Sequence, residues 1–154
     1  MLTKASFDYA VLRLVPRVER QEFLNIGVIV FCLEQRLLAA KVHVDEARLG
    51  LLWPILDLET VKQHADAVVR ICAGDEAAGP VAGLSQRERF QWLIAPRSTM
   101  IQTSAAHTGI LTEDDSLADR LHRLFAQLVS TGNIDAEQGN AYRLQPFNPA
   151  PETH

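Results

Sequence analysis

Residues 24–33, LNIGVIVFCL, decide the fold. The run is rich in β-branched and aromatic residues and nearly continuous in apolar character, which reads as a central strand. Residues 7–15, FDYAVLRLV, read the same way. Between them lies the charged loop 16–23, PRVERQEF, of a length that lets its two flanks pair as antiparallel neighbours. Downstream, residues 37–44 (LLAAKVHV) form a third strand candidate, joined to the second by Glu34, Gln35 and Arg36, a connection short enough for a hairpin. Its last residues alternate, with Lys41 and His43 on one face and Val42 and Val44 on the other. A three-stranded meander is the simplest topology.

From Asp45 the apolar period becomes helical. Asp45 caps residues 46–53, where Leu49, Leu52 and Trp53 share a face, and Pro54 disfavours continuation. Asp57 caps a second helix over 58–73, with Leu58, Val61, Ala65, Val68, Val69 and Cys72 recurring at three and four and Gly74 ending it. Residues 74–80 are punctuation. Ser85 heads a helix over 86–94, with Glu88 at the capping-box spacing and Phe90 as an anchor. Residues 98–104 (STMIQTS) alternate as a strand, and 109–112 pair with it or lie against it. Asp114 or Asp115 then caps 117–130, whose Leu117, Leu121, Leu124, Phe125 and Leu128 form a stripe ended by Gly132. These elements predict one α+β domain over residues 1–132: an antiparallel sheet of four or five strands with helices packed mainly on one face, 58–73 and 117–130 together. Residues 133–154, with Pro146, Pro149 and Pro151, read as a tail, partly docked and then frayed.

The composition agrees with a globular domain. The chain has 154 residues, 47% of them hydrophobic and 22% charged, with 8 Gly and 7 Pro, which excludes disordered, collagen-like and disulfide-scaffold classes. Fifteen Lys and Arg against nineteen Asp and Glu leave a net charge of −4 without a lysine-rich block, so nucleic acid is not the expected partner. Residues 1–10 contain Lys4 and Asp8 and no signal-peptide core, and no apolar stretch approaches the roughly 18 residues that span a bilayer. A cytoplasmic protein without a membrane partner is expected. Cys32 and Cys72, each in apolar company and without a CxxC spacing, read as buried structural thiols.

Two polar clusters are the candidate sites. In the first, Arg13, Arg17 and Arg20 lie near Glu19, Glu22 and Asn25. Arg13 stands within an apolar strand, where a guanidinium needs a carboxylate, a phosphate or an edge position to offset its desolvation. Its neighbours could either grip an external anion or satisfy one another. The second cluster runs from 96 to 109, PRSTMIQTSAAHTG, dense in hydroxyls and amides: Arg97, Ser98, Thr99, Gln102, Ser104 and His107 are its binding candidates. His107 alone there can move a proton near neutral pH, a weak catalytic candidate because neither a nucleophile nor an orienting carboxylate can be assigned to it. A polar edge strand is the bland alternative. The five histidines show no zinc spacing, Asp75 reads as an exposed acid after a helix end, and no phosphate-loop or nucleotide motif occurs, so neither metal nor cofactor is expected.

Residues 7–31 (FDYAVLRLVPRVERQEFLNIGVIVF), 71–75 (ICAGD), 89–104 (RFQWLIAPRSTMIQTS) and 107–109 (HTG) resemble the bacterial family called domain of unknown function 3037, over about residues 7–130. Both clusters fall inside that resemblance. It implies no activity of its own. What it implies is an association, since members are encoded beside a HipA-like serine/threonine kinase: a small partner or regulator in a toxin–antitoxin-type pair. The leading expectation is therefore a non-enzymatic interaction module whose arginine loop and polar strand meet a partner protein. The alternative is a small phosphate- or nucleotide-binding domain or enzyme using Arg13, Arg97 and His107.

Overall fold

The computed structural model describes residues 5–130. The element order is β1 (Ala5–Leu14), β2 (Leu24–Cys32), β3 (Leu37–Val42), α1 (Glu46–Leu52), α2 (Leu58–Ala73), α3 (Gln86–Ile94), β4 (Ile101–Thr103), β5 (His107–Leu111) and α4 (Leu117–Leu128). All strand pairs are antiparallel, and the sheet runs β3-β2-β1-β4 with β5 also on β1. The expected meander and the α+β class are thus present. Gly132 and the proposed tail 133–154 lie outside the described residues.

The expected placement of the last helix beside 58–73 is corrected. Ile29 and Phe31 of β2 join Leu38, Ala40 and Val42 of β3 in a core with Leu49, Val61, Ala65, Phe90 and Leu93, from α1, α2 and α3. The alternate residues Val28, Val30 and Cys32 pack instead with Phe7, Leu117 and Leu121 of α4. Successive strand side chains point to opposite faces, so α2 and α4 lie on opposite sides of the sheet. Three helices share one face and α4 covers the other. The reason was visible in the run of buried residues Ile26, Gly27, Val28, Ile29, Val30, Phe31 and Cys32: such a strand needs apolar cover on both sides.

Helix ends follow local chemistry. The carboxylates of Asp45 and Asp57 accept the N–H groups of Arg48 (3.1 Å) and Thr60 (3.2 Å), and Ser85 Oγ accepts that of Glu88 (3.2 Å). The last helix departs from expectation, because Ser116, not Asp114 or Asp115, is its cap, accepting the Asp119 N–H at 3.0 Å. Asp115 is engaged elsewhere, with Arg120 (3.0 Å) and Arg123 (2.9 Å). Gly74 ends α2 at φ 72°, and the buried Arg89 of α3 donates to the Ile71 and Cys72 carbonyls, each at 2.9 Å, covering acceptors that the helix end leaves over.

The strand expected over 98–104 shrinks to β4, because its hydroxyl and amide groups bond locally: Thr99 Oγ1 donates to the Ile101 carbonyl and Gln102 Nε2 to that of Thr99, both at 2.8 Å. β4 and β5 lie in succession along one edge of β1, Leu12 facing Thr103 and Tyr9 facing His107. Between these pairs β1 advances three residues and its partner four, so the edge carries one extra residue. Gly109 faces Phe7, and a Cβ there would come within 2.6 Å of the Phe7 ring. Gly109→Ala is expected to lower stability by about 1–3 kcal/mol through this overpacking, read by chemical denaturation. A second change, Phe7→Leu, should then cost less in the Gly109→Ala background than in wild type.

Candidate functional site

Arg13 sits on the α4 side of β1, since Leu12 and Leu14 point into the opposite core. A register shift between Leu12 and Arg13 brings Arg13 opposite Asn25, and on its other flank stands Gln102. The guanidinium lies over the Phe23 ring, 4.3 Å from its centroid, and its buried Nε has no hydrogen-bond partner. The partner demanded by desolvation is thus an aromatic face, with no carboxylate among the described residues. Arg17 and Arg20 instead turn to their own loop: Arg17 Nε meets Glu19 Oε1 at 2.9 Å and Arg20 Nη2 meets Glu22 Oε1 at 2.6 Å, all four side chains about half or more exposed. The bond to Glu22 raises the Arg20 pKa, while the backbone N–H and Arg17 hold the Glu19 carboxyl below its ordinary value. Exposed pairs of this kind, screened by solvent, add little to stability. Asn25 Nδ2 donates to the Leu128 carbonyl at 3.1 Å and ties the end of α4 to the start of β2.

The second cluster is divided among local tasks. Arg97 stacks on Trp92 at 4.3 Å and donates to the Trp92 and Ala95 carbonyls at the end of α3. Ser98 is exposed, and Thr99 and Gln102 hold the turn already described. Ser104 is buried: its Oγ accepts the Val11 N–H and donates to the Ala105 carbonyl, both at 2.9 Å, filling the ladder where the extra residue interrupts it. His107 is exposed, its ring 5.4 Å from that of Tyr9. The two clusters touch where Gln102 faces Arg13. Arg13, Arg97 and His107 rest on three different aromatic rings, and along β1 the His107 partner Tyr9 is about 13 Å from Arg13 at some 3.3 Å per residue. No contact joins the three. Asp75, the other isolated acid, caps a short turn through the Ala77 N–H at 3.0 Å.

Two arrangements escaped the sequence reading. The first is a cleft of about 230 Å³ at the start of β2, with Phe23, Leu24 and Asn25 on one wall, Arg48 of α1 on another, and residues 128–130 at its end. The second lies beneath α4. Lys41, 4% exposed, places Nζ 3.0 Å from His122 Nδ1 and 4.5 Å from the Phe125 ring centroid, with no carboxylate bonded to it. Burial lowers the Lys41 pKa. Burial and then the nearby Lys41 lower that of His122, against an opposing pull from Asp119. The ammonium can donate to Nδ1 only while the imidazole is neutral with its proton on Nε2. A charged residue inside the apolar run 37–42 was the available signal, the same one that marked Arg13. Both cysteines are buried as expected, and burial pushes the Cys72 thiol up to about 12, leaving it unreactive.

The family model described as Protein of unknown function (DUF3037) matches residues 9–129. The chain belongs to the DUF3037 family. That span runs from β1 to the end of α4, so the arginine loop, the cleft and the Lys41–His122 contact all lie inside the DUF3037 region. No curated protein and no solved structure matches the chain. Among the described residues no helix is long and apolar enough to cross a membrane.

The Lys41–His122 contact sets a pH dependence. His122 holds its proton less tightly folded than unfolded, so below about pH 6.5 the unfolded chain takes up the extra proton. Stability conferred by the neutral ring is present above that pH and is lost as the pH falls through the depressed folded value. Melting temperature should therefore drop more steeply between about pH 7.5 and 5 for the native chain than for His122→Gln, whose amide oxygen still accepts from Lys41. Equal slopes would exclude His122 as the titrating group.

Proposed function

We propose that this DUF3037 protein is a non-enzymatic interaction module that binds a partner protein at the corner where α1 meets the cleft. The family resemblance implies the partner: a HipA-like serine/threonine kinase of a toxin–antitoxin-type pair. The observation that carries the reading is an exposed apolar run at the end of α1. Leu49 is fully buried and Trp53 packs against the same core, which turns Leu51, Leu52 and Ile55 outward. Ile55 is 99% exposed and Leu51 85%. The turn that presents them is fixed, with Trp53 N–H bonded to the Leu49 carbonyl at 2.8 Å and Leu56 N–H to that of Trp53 at 3.0 Å. Single exposed apolar residues are ordinary, but three large aliphatic side chains within five positions form a patch. Burying each against a partner is worth about 1.5–3 kcal/mol before the costs of association. Phe23, 48% exposed, lines the cleft together with Arg48 of the same α1.

On this reading the arginine loop has a lesser task. Arg17 and Arg20 are already paired and exposed, so they act on encounter and salt dependence more than on the lifetime of a complex. The phosphate or nucleotide alternative draws less support, because Arg13, Arg97 and His107 each rest on a different aromatic ring and Arg97 is spent on the carbonyls that end α3.

Co-expression of the tagged chain with a HipA-like kinase, the partner that the family resemblance implies, tests the proposal. A stable complex is expected. Ile55→Glu should weaken it by at least about tenfold, roughly 1.4 kcal/mol, without altering the melting temperature, whereas Arg17→Glu should chiefly slow association. Capture of Ile55→Glu at the native level, with the kinase bound elsewhere, would refute this surface.

A further inference from the structure

Resting on that reading, we infer that the cleft beside Arg48 receives an acidic side chain of the partner, in a segment where the carboxylate neighbours a bulky apolar residue. The acids closest to Arg48 in sequence are occupied. Asp45 spends a carboxylate oxygen on the Arg48 N–H as helix cap, and Glu46 is paired with Lys62 of α2. The Arg48 guanidinium has no ion pair among the described residues, although it forms a wall of the cleft. Glu22, next to Phe23, is held by Arg20, so it does not neutralise this side either. Behind the opposite wall a second guanidinium, that of Arg13, lies against the Phe23 ring without a carboxylate. On a chain of net charge −4 this is a locally cationic recess, and the guanidinium fork matches a carboxylate with two parallel donors.

The rest of the lining is largely apolar, which favours a carboxylate that arrives with apolar neighbours over a free anion. Asn25 uses its Nδ2 on the Leu128 carbonyl, which ties this wall of the cleft to the end of α4. Phe23, about half exposed, stands with Leu24, Leu128 and Val129 in the lining and offers apolar contact beside Arg48. Size agrees. At about 230 Å³ the cleft has room for one or two side chains, below the roughly 300–1,000 Å³ usual for drug-sized ligands.

The test uses three fluorescein-labelled peptides of equal length, Gly-Ser-Leu-Xaa-Leu-Ser-Gly with Glu, Gln or Lys at Xaa, titrated with the full chain and read by anisotropy. The Glu peptide should bind at least about fivefold more tightly than Gln, and Lys weakest of all, the range expected for a charge-assisted pair. Arg48→Glu, checked for an unchanged melting temperature, should invert the order. Equal binding of Glu and Gln, an order that Arg48→Glu leaves unchanged, or no binding of any peptide would overturn the inference. The kinase capture separates this from the broader reading: if Arg48→Glu is captured normally while Ile55→Glu is lost, the interaction surface stands and the carboxylate site falls.

Discussion

Strand β2 buries side chains on both of its faces, and the remaining architecture answers that requirement. Ile29 and Phe31 need one apolar layer, and Val28, Val30 and Cys32 need another. At about 1.5–3 kcal/mol per large side chain, leaving either set in water would remove a sizeable part of the stability typical of a domain. The chain therefore supplies α1, α2 and α3 on one side and α4 on the other. Pairing on both edges of β1 and β2 completes the burial, because the backbone of a strand shielded from water must find its partners in neighbouring strands. At residues 23–25, where β2 begins, the cleft lies between Arg48 of α1 and residues 128–130 at the end of α4.

Much of the fold was legible because local chemistry settles it. Asp45, Asp57 and Ser85 cap helices whose starts the residue pattern already marked, and Gly74 closes α2 in the left-handed conformation that glycine permits. The three-stranded meander follows from apolar runs separated by short polar connections. What the pattern concealed was the side on which the last helix packs. An amphipathic stripe states that a helix has a buried face, not which sheet face it meets. The decisive clue lay elsewhere, in the unbroken burial of 26–32. Ser116 was overlooked as a cap because three acids precede it, yet Asp115 is drawn away by Arg120 and Arg123.

The candidate site was less legible, for a different physical reason. Hydroxyl-rich and arginine-rich segments announce unsatisfied hydrogen bonds only while their tertiary partners are unknown. Ser104 looked available and proves to be part of the β1 ladder, Arg97 serves the end of α3, and Arg17 and Arg20 are paired within their loop. Arg13 was rightly singled out as anomalous, but its compensation is the face of Phe23, which spacing alone does not reveal. Conversely, Leu52 was placed on the buried face with Leu49 and Trp53 and proves half exposed, because the order of aliphatic residues does not tell which of them a short helix turns outward. Burial of Leu49 and Trp53 decides it.

The central claim is that the partner is met at one corner, formed by the start of β2, the outward side of α1 and the end of α4. Hydrogen–deuterium exchange on the full chain, alone and with the proposed kinase partner, addresses it most directly. Slowed exchange on binding should concentrate in residues 23–25, 46–56 and 126–130, with little change across the edge formed by β4 and β5. Protection confined to 98–111, or to the loop 16–22 alone, would contradict the account.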